Sequence, residues 1–295
     1  MLPKVWSKFM VQKVREKLIY AVLGAAALCS VVLLGAIIIA VCSSGLPAIT
    51  VEFLTSVSSF RKGIVGIAGN TVNTILIVIL TLLIATPLGV GAAVYLNEYA
   101  RNSHVVAVIE CALQVLAGIP SIIFGLFGML CFGQTLGLGY SLLCGALTLC
   151  LMILPLIVCN THEALKSVPC GYRQGALSLG AGVWYTTRTV VLPSATPAII
   201  TGIVLALGRI VAESAALLFT AGSAGMLPHQ LSDYLFKIFD SGGTLTVQLY
   251  LSATSQGDFK TAFGIALLLL VITFIINTLT RFIISRFSIQ KKGCS

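Results

Sequence analysis

The chain has 295 residues, 58% of them hydrophobic and only 9% charged, and its mean hydropathy is +1.04. Soluble domains carry about 25% charged residues, so a soluble globular protein is excluded and a polytopic membrane protein is expected. A net charge of +9 is an excess that could draw nucleic acid, but the basic residues stand in short segments between apolar runs, so topology accounts for them and no nucleic-acid partner is expected.

Residues 1–18 carry Lys4, Lys8, Lys13, Arg15 and Lys17 against Glu16, and residues 19–41 follow without a charge. A helix needs about 20 residues to cross the hydrocarbon, whereas the apolar core of a signal peptide runs only about 7–15, so this is read as an uncleaved first span. Residues 42–69 form an outer loop. Residues 71–96 are the second span, with Pro87, Gly89 and Gly91 near its end. Residues 97–110, with Arg101 and His104, make a short inner loop. The third span, 111–132, is interrupted by Gly118, Ile119, Pro120 and Ser121, and an uncharged turn at 133–140 leads to the fourth span, 142–159.

A polar inner loop follows over 162–193, with Lys166, Arg173 and Arg188 against Glu163. Residues 198–221 are the fifth span, 222–260 a long outer segment holding Asp233, Asp240 and Asp258, and 261 to about 280 the sixth. The tail carries Arg281, Arg286, Lys291 and Lys292. Of the 18 basic residues, 13 fall in the inner segments, four (Arg61, Lys62, Lys237, Lys260) in outer ones, and Arg209 inside a span. That asymmetry sets an N-in, C-in orientation for an all-α polytopic protein with six transmembrane helices.

Nine cysteines, an odd count with no C-x-x-C pair, read as small buried hydrophobes and give neither a disulfide framework nor a metal site. His104, His162 and His229 are placed in loops. There is no phosphate-cradling G-x-x-x-x-G-K-[ST] and no catalytic constellation, so a transport component is expected and not an enzyme.

Two stretches carry function. In the fifth span Arg209 is the twelfth of 24 residues, near the midplane, where an ionised group costs about 2.5–3.5 kcal/mol. Glu213 lies four residues on and shares its helix face, so the two can pair. Gly208, Ala212, Ala216 and Thr220 make a small-residue stripe beside them. One reading is an ion pair that locks helices. The other is an anion-handling pair, because a guanidinium donates two parallel hydrogen bonds to a phosphate-like oxyanion. In the polar loop, residues 172–179 form a short helix broken at Gly180, where the backbone needs positive φ or close approach, and Trp184 and Tyr185 start a second. Such a helix rests on headgroups or docks in another protein's cleft.

Within that loop Gln174-Gly175-Ala176, then Gly180, then Val190-x-Leu192-Pro193 resemble the EAA loop of bacterial ABC importer permeases, Glu-Ala-Ala, three residues, Gly, nine residues, Ile-x-Leu-Pro. The spacing matches throughout; Gln174, Gly175 and Val190 depart in identity, and Gln174 removes the acid. The resemblance implies the type-1 ABC importer permease fold. It also implies that Gln174, Gly175, Ala176, Gly180, Leu192 and Pro193 belong to a coupling loop, 160–193, that receives the stroke of an ABC ATPase homodimer. ATP and Mg²⁺ would be held there, and this chain would bind no cofactor.

Residues 206–222 are similar to the R-A-x-G-E-T-A-P-L segment of phosphate ABC transporter permeases. Arg209, Glu213, Ala215 and Leu217 match, while Ala212, Ser214 and Ala216 depart. Residues 86–100 and 117–130 also resemble that subfamily, closer to its A-type subunit, and the likeness covers roughly 66–285. What this implies is an inorganic phosphate pathway past Arg209, Glu213 and Ser121 in the cytoplasmic (inner) membrane of a bacterium, surrounded by membrane lipid. The implied partners are a C-type permease subunit and a phosphate-binding protein outside. The domain expectation is 1–65 (basic N-terminus, first span and outer loop), 66–285 (transmembrane domain) and 286–295 (basic tail). Rival readings are a permease for another oxyanion, such as sulfate or molybdate, and an ion-coupled secondary transporter, whose related halves with broken helices are not evident here.

Overall fold

A computed structural model describes residues 3–59, 64–100, 102–226 and 236–292. Arg61, Lys62, Arg101, His229 and Asp233, named above, lie outside the described residues. The first helix, α1, runs Pro3–Gly45. A short helix α2 (Val51–Thr55) is capped by Thr50, whose Oγ1 accepts from Phe53 N at 3.1 Å. It leads into an antiparallel hairpin of β1 (Val57–Ser59) and β2 (Ile64–Ile67), with Val57 opposite Ile67. Next come α3 (Ala68–Val94), continued by a π turn at Tyr95–Tyr99, then α4 (Ser103–Ala117), then α5 (Ser121–Gly128), continued by a π segment at Met129–Thr135. The central helix α6 spans Leu142–Lys166, with Ser141 Oγ accepting from Cys144 N at its start.

Two short helices follow, α7 (Cys170–Ser178) and α8 (Val183–Thr186), and a π turn at Thr187–Val191 joins α8 to α9 (Leu192–Ala212). The outer side is completed by α10 (Ala215–Thr220) and α11 (Leu245–Thr254), and α12 (Phe259–Lys292) follows. Five of these stretches are apolar and long enough to cross a membrane; α4 with α5 makes a sixth, bent by 94°.

The core is built on α6. Its Leu149, Ile153 and Ile157 are at most 1% exposed, and it packs against α3, α9 and α5. Gly89 permits the approach of α3, because a Cβ there would stand 2.6 Å from Ile157 Cγ2. The lipid-length helix α1 stays largely exposed along its apolar run and packs on α12; at Gly45 a Cβ would stand 2.6 Å from Phe263 O.

Several boundaries differ from the sequence reading. The fourth span does not stop at residue 159, because its buried face continues through Thr161, Ala164 and Leu165, so His162 and Glu163 are helical. The third span begins at Ser103, which puts His104 and Glu110 in α4 and not in a loop. The fifth span starts at Val183 and ends at Ala212, where the helix breaks. The outer segment contains α11, whose Thr244 cap accepts from Val247 N at 3.4 Å. All eight described cysteines are free, but only Cys144 and Cys150 are buried, while Cys29, Cys111 and Cys170 are exposed.

Candidate functional site

Arg209 lies in the last turn of α9, not in the middle of a continuous span. Glu213 then leaves the helix with φ −78° and ψ 129°, so the shared face expected for the pair does not exist. Among the described residues the ion pairs are Glu98 with Arg173 and Glu110 with His162 and Lys166; Arg209 has no partner and is half-buried. Glu213 is occupied elsewhere. Its Oε1 accepts from Ala216 N at 3.2 Å, closing the first turn of α10, and its carbonyl accepts from Thr246 Oγ1 of α11 at 2.7 Å. The small-residue stripe is also divided. Gly208 faces open space and Ala212 is exposed, whereas Ala216 and Thr220 of α10 are fully buried.

A second break faces the first. The 94° bend between α4 and α5 falls at Gly118–Pro120, and Ser121, half-buried, opens α5. One turn further, Gly125 packs so closely on α10 that a Cβ would stand 2.8 Å from Ala216 Cα. Two interrupted helices are thus joined through Gly125 and Ala216, with Ser121 and Glu213 a turn or less from that contact on their own strands of chain. The outer end is tied down by α3. Asn70 Nδ2 and Asn73 Nδ2 donate to Gly243 O at 3.0 and 3.1 Å, Asn73 Nδ2 also to Ala224 O at 3.1 Å, and Thr74 Oγ1 accepts from Leu245 N at 3.0 Å.

The residues of the polar loop lie apart from this site. Gln174, Gly175 and Ala176 sit on α7, which buries no residue; Gly180 follows it with φ +81°, as the glycine reading requires, and in open space. Leu192 and Pro193 are not loop residues; they open α9 directly after its π turn. The face around α7 and α8 is apolar and uncovered, with Leu179 90% exposed and Tyr172, Leu177, Trp184 and Tyr185 exposed beside it. Exposed apolar patches of this kind mark interaction sites.

Sequence reasoning missed the charged groups that fasten the inner side. Arg173 Nε and Nη2 donate to Glu98 Oε1 at 3.1 and 2.9 Å, while Nη1 and Nη2 donate to the carbonyls of Val168 and Leu165 at 3.0 and 2.8 Å. Nearby, Lys166 Nζ donates to Glu110 Oε1 at 2.8 Å, and Nε2 of the buried His162 lies 2.8 Å from the same oxygen. Glu110, His162 and Lys166 border a cavity of about 380 Å³ between α4 and α6. The available signal was the lone acids Glu98 and Glu110 near the ends of apolar runs, which call for partners.

Residues 85–289 match the family model described as binding-protein-dependent transport system inner membrane component. The chain is 39% identical over 211 residues to the probable ABC transporter permease protein YqgI of Bacillus subtilis, covering 72% of each. It is 39% identical over 181 residues to the phosphate transport system permease protein PstA of Xylella fastidiosa, covering 61% of this chain and 62% of that one. In fold it resembles a chain of a bacterial ABC transporter involved in the import of the acidic polysaccharide alginate, with TM-score 0.67, 14% identity, and coverage of 96% of this chain and 99% of the other. The chain therefore belongs to the binding-protein-dependent transport system inner membrane components: it is a permease subunit of an ABC importer with the type-1 fold.

Proposed function

We propose that the chain is the A-type permease subunit of an inorganic phosphate importer in the bacterial cytoplasmic membrane. The observation that carries the reading is Arg209, a half-buried guanidinium beside a helix break with no partner among the described residues. An unpaired cation is expensive inside a membrane, and its two parallel donors suit a tetrahedral oxyanion. Glu213 shapes the break by capping α10, and Ser121 opens the facing half-helix. The relative named as a phosphate permease supports the choice of phosphate over sulfate or molybdate.

Residues 66–285 would form the transmembrane domain, flanked by 1–65 and the tail 286–295. A C-type permease subunit would complete the pathway and a phosphate-binding protein would deliver the anion outside. An ATPase homodimer holding ATP and Mg²⁺ would dock on α7, α8 and the start of α9, at Gln174, Gly175, Ala176, Gly180, Leu192 and Pro193. The exposed Leu179, Trp184 and Tyr185 supply the apolar anchors that such docking uses.

The test is uptake of radioactive phosphate in cells lacking other phosphate importers, normalised to assembled complex. Arg209→Gln keeps polarity but loses the charge and the fork, and should abolish uptake while the subunits still co-purify. Excess sulfate or molybdate should leave wild-type uptake unchanged. Phosphate uptake at the wild-type rate in assembled Arg209→Gln would defeat the reading.

A further inference from the structure

The coupling helix α7 has no buried residue of its own. Besides its covalent joints to α6 and α8 and its packing on the π turn at Thr187–Val191, it is held through Arg173, which makes two hydrogen bonds to Glu98 and two to carbonyls at the end of α6. The carbonyl bonds bind α7 to the helix it already follows in sequence. The Glu98 bonds reach a different span, 75 residues away, at the end of α3. The Glu98 side chain is 8% exposed and also accepts from Asn97 Nδ2 at 2.6 Å, so it has no freedom to swing with a moving partner. A carboxylate at a helix C-terminus is disfavoured by the helix dipole, and Arg173 is the cation that makes it tolerable.

The other end of α3 is equally committed. Thr74 accepts from Leu245 N, the adjacent Thr246 donates to the carbonyl of Glu213, and Glu213 ends the helix that carries Arg209. Between Thr74 and Glu98 the helix is continuous, roughly 36 Å at 1.5 Å per residue. We propose that Glu98 is a positioning residue for energy coupling: the Glu98–Arg173 contact makes α3 a push-rod that carries displacement of α7 to the helix break at Glu213. This rests on the reading of α7 as the ATPase contact and of the break as the phosphate pathway.

The test uses the whole importer in proteoliposomes, with the ATPase subunits, the binding protein and inorganic phosphate, in a background whose native cysteines are replaced. Two quantities are read: phosphate transported per ATP hydrolysed, and thiol accessibility of Ser214→Cys with and without ATP plus vanadate. In the parent complex ATP should change Ser214→Cys labelling. In Glu98→Gln and Arg173→Gln that change should vanish, and phosphate per ATP should fall about tenfold or more, as expected when a reacting geometry is misplaced by a remote contact. The double variant should be no worse than the weaker single, because both remove one link.

Glu98→Asp keeps the charge with one methylene less reach. It should assemble and transport at a severalfold lower ratio. Unchanged ratios in the assembled Gln variants would overturn the push-rod. So would a wild-type ratio in Glu98→Asp when the Gln variants fail to assemble, since the pair would then only hold the fold. Failure of the underlying functional reading looks different: the parent complex itself would transport no phosphate.

Discussion

Glu213 turns its carboxylate toward the Ala216 amide, 3.2 Å away, and not toward Arg209. The acid therefore acts through its oxygen as an acceptor and not through a pairing charge. Glu213→Gln, which keeps that oxygen, should retain most phosphate uptake. Glu213→Ala should lose the cap, at about 0.5–2 kcal/mol, lower the melting temperature of the purified complex and reduce uptake. Equal loss in both variants would restore a role for the charge.

Gly180 follows α7 with φ +81° and nothing within reach of an added Cβ. The constraint is conformational, because left-handed backbone costs an L-residue about 1–2 kcal/mol, and asparagine is among the residues that tolerate it. Gly180→Asn should couple hydrolysis to uptake nearly as well as the parent, while Gly180→Val should hydrolyse ATP with little uptake. The ratio of phosphate moved to ATP hydrolysed in vesicles checks the order.

At Gly89, α3 lies directly against Ile157 of α6. Gly89→Ala forces a methyl group onto Ile157 Cγ2, an overpacking that costs about 1–3 kcal/mol. Ile157→Ala opens a cavity, at about 2–5 kcal/mol. Combined, they should cost clearly less than their sum, because the new methyl fills part of the space left. Thermal unfolding of the three variants measures the non-additivity.

Asp258 caps α12, accepting from Thr261 N at 3.1 Å and from the Thr261 hydroxyl. The hydroxyl bond is the main reason its carboxyl titrates below the ordinary value of 3.8, with burial opposing. The unfolded chain then binds the proton more readily, so the stabilisation is complete above that ordinary value and fades as pH falls through the folded pKa. Asp258→Ala should cost about 0.5–2 kcal/mol at neutral pH, and the gap to the parent should narrow in melts taken at progressively lower pH below about 4. A constant gap across that range would point to packing instead.

The spans were legible where charge-free runs of bilayer length stood between basic segments, as at residues 19–41, since that pattern has one stable outcome in lipid. The short helix α7 and its stop at Gly180 were legible because that glycine takes a left-handed backbone. The break after Ala212 was not: Ala212-Glu213-Ser214-Ala215 contains neither glycine nor proline, and a period of four made Arg209 and Glu213 look like neighbours on one face. Where the chain leaves the helix, the Glu213 carbonyl is taken up by the hydroxyl of Thr246, 33 residues later. Glu98 and Arg173 are also far apart in sequence, and each read alone is only a terminal charge. Local pattern fixes which residues must be helical; partners distant in the chain decide where a helix stops and which charges meet.

The amides of Asn70 and Asn73 are at most 1% exposed, yet the carbonyl they share belongs to Gly243, 173 and 170 residues downstream. At about 5–20 residues per second a ribosome needs roughly 10–35 s to supply it. Through that interval the second span must already cross the bilayer with two carboxamides looking for partners. Water or headgroups at the outer interface must serve in the meantime. Maturation of this subunit is thus timed by its last third, and a chain cut before residue 243 would leave the outer end of its second span permanently unfinished.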